Sequence, residues 1–79
     1  ADNVAMLLEV ADRFNAPRLK RVCMEAIARD WGTFQTSKGL GALAQTALPL
    51  LREVDQWCLQ RKLTANPGEV IRAANKLNA

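Results

Sequence analysis

Along the first thirty residues, apolar positions recur at helical spacing. Val4, Leu7, Leu8 and Ala11 follow the i, i+3, i+4, i+7 rule, which predicts a helix from about Asn3 to Phe14 with one buried stripe and Asp2 as its N-cap. "NAP" then breaks the chain. Asn15 or Ala16 caps a second helix, and Pro17 falls in its first turn, where the missing N–H costs nothing. Leu19, Val22, Cys23, Ala26 and Ile27 form the second stripe. So short a joint folds the two helices back as a hairpin.

Beyond Gly32 the pattern weakens. "GTFQTSKG" is expected to be the least regular segment, holding at most a helical turn around Phe34. Ser37 can cap a segment containing Leu40 and Leu43, although Gly39 and Gly41 lower its helix propensity. Thr46 is the expected cap of the next helix, with Pro49 in its first turn and an apolar face of Leu50, Leu51, Val54, Trp57 and Cys58, ending near Leu63. In "TANPGEV", Asn66 as N-cap, Pro67 at the first helical position and Glu69 three residues after the cap spell a capping box. Val70, Ile71, Ala74 and Leu77 give the last helix its stripe. No stretch alternates apolar and polar as a half-buried strand does. The expectation is all-α: a small bundle of four to five helices opening with a helical hairpin. Its core should contain Leu7, Leu8, Ala11, Leu19, Cys23, Ile27, Leu50, Val54 and Trp57.

Composition narrows the function classes. The chain has 79 residues, 49% of them hydrophobic but only four aromatic, the mix of one small ordered domain. Net charge is +3, from 11 basic and 8 acidic side chains whose signs alternate, so the basic excess argues only weakly for nucleic acid. No apolar run approaches the ~18 residues of a membrane span, and "ADNVAM" lacks the basic lead and apolar stretch of a signal peptide. Cys23 and Cys58 fall on apolar faces of different helices and read as buried, reduced thiols. With no His and no third Cys, zinc lacks ligands. Neither thiol has a base to activate it. We therefore expect no enzymatic activity, no catalytic residue, no cofactor, no metal and no small-molecule substrate, with residence in cytoplasm or nucleus.

Two features point outward. Met6 and Val10, four apart, add a second apolar stripe to the first helix, away from Leu7 and Leu8; it is covered either by neighbouring helices of this chain or by a partner. Leu59 and Leu63 repeat that ambiguity, with self-association as the functional alternative. Arg18, Arg21, Glu25 and Arg29 occupy the polar side of the second helix, where charges four apart make weak helix-stabilising pairs. Arg13, Arg18, Lys20 and Arg21 also crowd the hairpin joint, a cluster that suits phosphate near a helix start. That leaves a small basic nucleic-acid-binding domain as the alternative reading, weakened by Pro17, Asp12 and Glu25.

"NVAMLLEVADRFNAPRLKRVCMEAIARDW", followed by "FQTSKGLGAL" and "LPLLREV", resembles the BACK-type helical segment that follows a BTB (POZ) domain, in the shortened form of the speckle-type POZ proteins and leucine-zipper-like regulators. The matching elements are Asn3, Ala11–Asp12, Arg18–Leu19–Lys20, Cys23 and Ile27. The likeness covers roughly residues 2–58, so we divide the chain into a BACK-like helical domain at 1–63 and an additional C-terminal helix at 64–79. The resemblance implies a non-catalytic interaction or oligomerisation module of a cullin-3 ubiquitin ligase adaptor. In that family the helical pair after the BTB domain extends the cullin-binding surface, and the remaining helices make a second dimer contact. The 79 residues carry neither BTB strands nor a substrate-recruiting domain. The expected partner surface is Met6, Val10 and Arg13, rimmed by Arg18 and Arg21, with Leu59 and Leu63 at a self-association contact, no membrane partner, and nucleic acid only under the alternative reading.

Overall fold

The computed structural model describes residues 3–78. Six helices follow one another: α1 (Val4–Arg13), α2 (Pro17–Arg29), α3 (Trp31–Phe34), α4 (Lys38–Thr46), α5 (Leu48–Gln60) and α6 (Glu69–Leu77). No strand is present among the described residues. The expected all-α bundle is therefore the observed one, with the turn around Phe34 counted as its own helix. Asp2, expected as the first N-cap, lies outside the described residues.

Two helix ends fix the path of the chain. At the close of α1, Asn15 takes a left-handed backbone conformation (φ 56°) and Ala16 N–H reaches back to the Ala11 carbonyl at 2.8 Å. This six-residue closure satisfies carbonyls the helix would otherwise leave open. Asn tolerates the left-handed region, so α2 can start at once, with Ala16 as its N-cap and Pro17 in its first turn. The same closure ends α5: Lys62 is left-handed (φ 61°) and Leu63 N–H bonds the Cys58 carbonyl at 2.9 Å. Hence α5 stops at Gln60, three residues short of the expected Leu63. Leu63 turns back against the core.

Ser37 caps α4 as its sequence position suggests, accepting from Leu40 N–H at 3.4 Å. Thr46 does not cap α5. It is the last residue of α4, and its hydroxyl lies 2.9 Å from the Ala42 carbonyl and 2.8 Å from Glu9 Oε1. The α5 N-cap is Ala47, with Pro49 in the first turn. The Asn66–Glu69 capping box does not form either. Asn66 and Pro67 make a turn, and the N-cap is Gly68 at φ 87°. Glu69 still reaches upstream, accepting from Ala65 N–H at 2.8 Å, but the α6 terminus is held by Asp55 of α5, which accepts from Gly68 and Val70 N–H.

One core joins all six helices. Leu8, Ile27, Phe34, Leu40, Leu43, Leu51, Val54, Cys58, Val70 and Ala74 are at most 5% exposed and belong to one cluster. Helix α1 packs on α2 and α4, and α6 packs on α4 and α5, so the 64–79 segment shares this core through Val70 and Ala74. The glycines of α4 permit these crossings. A Cβ on Gly39 would lie 2.9 Å from Ala5 Cβ, and one on Gly41 would meet Leu77 Cβ at 3.4 Å.

Three core expectations fail. Leu7 is 45% exposed and Leu19 39% exposed, because both helices are rotated from the expected face. Helix α1 buries Ala5, Leu8 and Ala11, putting its smallest side chains where α4 approaches. Helix α2 buries Cys23, Met24 and Ile27, and Lys20 on that side reaches Glu53 of α5. Val22 is accordingly exposed at 61%. Trp57 is half-buried, with the Arg61 guanidinium 4.6 Å over its ring. Leu8, Ala11, Cys23, Ile27, Leu50 and Val54 are buried as expected.

Candidate functional site: the outer face of the hairpin

Eight large apolar side chains are markedly exposed among the described residues, and six belong to the hairpin: Met6, Leu7, Val10, Phe14, Leu19 and Val22. Met6, Val10 and Phe14 are spaced i, i+4, i+8 and so form a column along α1, and Leu7, expected on the face away from it, is exposed beside it. Leu8 and Ala11, on the other side of that helix, are buried. Helix α1 is thus apolar on two faces, and the described residues cover only one. This resolves the open alternative for Met6 and Val10: they face outward. On α2, Leu19 and Val22 occupy the flank opposite Lys20, Arg21 and Met24, which line the groove toward α5. The apolar positions lie on two adjacent, mutually packed helices, which concentrates the exposed large apolar side chains of the described residues on the hairpin.

The charges around that surface are unevenly used. Each carboxylate within α1 and α2 is drawn away. Glu9 meets Thr46 of α4, Asp12 pairs with Lys20 at 2.9 Å, and Glu25 pairs with Arg61 at 3.6 Å rather than with Arg21 or Arg29. Lys20 also bonds both Glu53 oxygens, at 2.9 and 3.0 Å. Partial burial alone would lower its pKa, but the hydrogen bonds to Asp12 and Glu53 raise it above the usual 10.5. Arg13, Arg18, Arg21 and Arg29, in contrast, have no ion-pair partner among the described residues. The basic cluster at the joint therefore divides: Lys20 is neutralised by Asp12 and Glu53 at the edge of the α2–α5 groove, and the arginines stay without ion pairs among the described residues.

The sequence-predicted site is brought together in part. Met6, Val10 and Arg13 share the outer side of α1, and Arg18 lies at the start of α2 beside the apolar flank. Arg21 lines a different feature, an open groove of about 610 Å³ between α2 and α5 floored by Met24 and Trp57. Leu59 and Leu63 are half-buried at the far end of α5, away from the hairpin joint, and Leu63 packs on the core. Leu7, Phe14, Leu19 and Val22 complete the surface and were missed as such. Phe14 continues the Met6–Val10 spacing by one more step, so the signal was present.

Both thiols are buried. Desolvation raises the Cys23 pKa, and desolvation with the nearby Asp55 charge raises Cys58 from an ordinary 9.0 to about 11. Groups in that state are protonated and poorly nucleophilic at neutral pH. No cluster of three or more His, Cys, Asp or Glu side chains stands ready for a metal among the described residues, and no described helix is long and apolar enough to cross a membrane.

No protein-family model matches this sequence, and no curated protein or solved structure matches it.

Proposed function

We propose that this chain is a non-catalytic protein-interaction module whose working surface is the outer face of the α1–α2 hairpin. The observation that carries the reading is the second apolar face of α1, left uncovered at Met6, Val10 and Phe14 while the core is complete without it. The resemblance to the BACK segment of BTB adaptors supplies the particular form: a surface that extends the contact with a cullin-3-type scaffold or with a second copy, in cytoplasm or nucleus.

The magnitude fits an auxiliary contact. Fully covering a medium apolar side chain contributes about 1.5–3 kcal/mol, so six that are about half exposed supply roughly 6 kcal/mol in all. Association costs on the order of 4–15 kcal/mol. The hairpin alone therefore binds weakly and acts as one part of a larger interface.

The test is the Met6→Ser/Val10→Ser double variant, compared with the unaltered chain for binding to cullin-3 and for self-association by sedimentation. Loss of either assembly with an unchanged helical spectrum supports the reading. Assembly that survives unchanged overturns it. Duplex binding that falls steeply with salt would point instead to a basic nucleic-acid-binding domain, because phosphate contacts release counterions.

A further inference from the structure

The hairpin face also specifies the chemistry of its occupant. We infer that it docks an amphipathic α-helix bearing acidic side chains on both margins of its apolar stripe, an inference that rests on the interaction reading above.

The secondary structure of the occupant follows from what the face offers. It is built from two helices whose backbone N–H and C=O groups bond within themselves, and no strand edge is present among the described residues. An extended segment lying there would bury main-chain groups with nothing to pair them. A helix satisfies its own backbone and presents only side chains. The column from Met6 to Phe14 spans just over two turns, which matches anchors at i, i+3 or i+4, and i+7.

The charge follows from the rim. By helical periodicity Arg13 borders the Met6–Val10 side, and Arg18 and Arg29 border Val22 on α2. None of these has an ion-pair partner among the described residues, whereas Glu9, Asp12 and Glu25 are each engaged elsewhere. The apolar surface is thus flanked on both sides by arginines without ion pairs among the described residues, while Asp12 and Glu25 are ion-paired and Glu9 turns to the Thr46 hydroxyl of α4. A second copy would set arginines against arginines, so of the two partners proposed above this face favours a different protein over self-docking. An anionic bilayer shares the sign of charge but suits the face less well. The rim is wholly arginine, whose planar fork matches a carboxylate, and neither tryptophan lies on it: Trp57 lines the α2–α5 groove and Trp31 belongs to α3.

The experiment titrates the isotopically labelled chain with two synthetic three-heptad helices that share one leucine stripe. One carries glutamates at the flanking positions, the other lysines. Separate samples receive vesicles of phosphatidylcholine containing phosphatidylserine. The acidic helix should shift the resonances of Met6, Val10, Phe14 and Val22 and bind roughly tenfold or more tightly than the basic one. That preference should shrink with salt and reverse in Arg13→Glu/Arg18→Glu. Equal binding of both helices at the same residues overturns the acidic preference and leaves the interaction surface standing. Shifts produced by the vesicles alone overturn the helix assignment in favour of a membrane. If neither helix shifts those residues, the inference fails, and the cullin-3 and sedimentation measurements decide separately whether the interaction reading fails with it.

Discussion

Asp55, within α5, holds the start of α6 at Gly68. Its two carboxylate oxygens accept from Gly68 N–H at 2.9 Å and from Val70 N–H at 3.2 Å, and the side chain is only 4% exposed. Two donors that a helix N-terminus leaves open are thereby satisfied by a neighbouring helix rather than by a local cap. Asp55→Ala should destabilise the chain by about 2–4 kcal/mol, because it leaves buried N–H groups unpaired. Asp55→Asn keeps an acceptor oxygen and should cost about half as much. Urea titrations followed by helical circular dichroism will separate the two. Equal, small effects would show that the α6 terminus is held by something else.

Two glycines inside helices should respond to alanine with opposite signs. At Gly39 the new Cβ would sit 2.9 Å from Ala5 Cβ, and neither methyl can swing aside. Helices α1 and α4 must move apart, at a cost of about 1–3 kcal/mol that exceeds the gain in helix propensity of about 1 kcal/mol. Gly32 meets nothing within 4 Å and does not hold a positive φ. There Ala should stabilise by about 0.4–1 kcal/mol, largely by restricting the unfolded chain. Thermal melts of the two variants measure the contrast directly.

These positions also show how far the sequence could be read. The elements and their class were legible because they depend on local signals: Pro17 and Pro49 in first turns, Ser37 as a cap, and the spacing of Leu50, Leu51, Val54 and Cys58. Asp55 was not legible as a cap, since its partners lie 13 and 15 residues away. Asn66 and Glu69 supplied a local pattern that this distant carboxylate supersedes. The rotation of α1 escaped for a similar reason. Ala5 is a weaker hydrophobic signal than Leu7, yet its small size lets Gly39 approach, so packing selected the smaller residue for the core. At the candidate surface, Met6 and Val10 stood out as a second stripe, whereas Leu7, Leu19 and Val22 matched helical core spacing too well to be read as exposed.

Alkaline pH should destabilise the fold in two overlapping stages. Burial raises the Cys58 thiol to about 11 from an ordinary 9.0. Between those values the unfolded chain ionises first, so stability is complete below about pH 9 and falls toward pH 11. A two-unit elevation corresponds to a loss of about 2–3 kcal/mol. Lys20, also raised by Asp12 and Glu53, acts in the same direction above its ordinary 10.5: the unfolded chain sheds the ammonium proton before the folded one does. Cys58→Ala should make the stability profile shallower between pH 9 and 10.5, leaving the part that the buried Cys23 thiol contributes in the same direction and the later fall in place. Denaturant midpoints measured across that range, compared by slope rather than by absolute stability, test the assignment. An unchanged slope would place the alkaline loss on other groups.

The apolar face of the hairpin should be energetically separable from the core that lies one helix-width beneath it. Leu8 is completely buried and Met6 is 63% exposed, although both belong to α1. Leu8→Ala removes packed methyl groups and leaves a cavity, so it should cost about 2–5 kcal/mol. Met6→Ser/Val10→Ser removes side chains that water already reaches, and should change stability by less than about 1 kcal/mol. A stability loss as large as that of Leu8→Ala would assign Met6 and Val10 to the folding core and remove the reason for proposing a partner. Association should reverse the ranking. At temperatures where both variants remain folded, Leu8→Ala leaves the outer side chains in place and should retain binding, while the double serine variant should weaken it by about tenfold or more, the loss of roughly 1.4 kcal/mol or more of apolar contact. Phe14→Ser, at 71% exposure the most open apolar side chain of the six, should weaken binding in the same way without touching the fold. That pairing of a silent melt with a lost contact is what distinguishes a surface built for a partner from an imperfectly covered core.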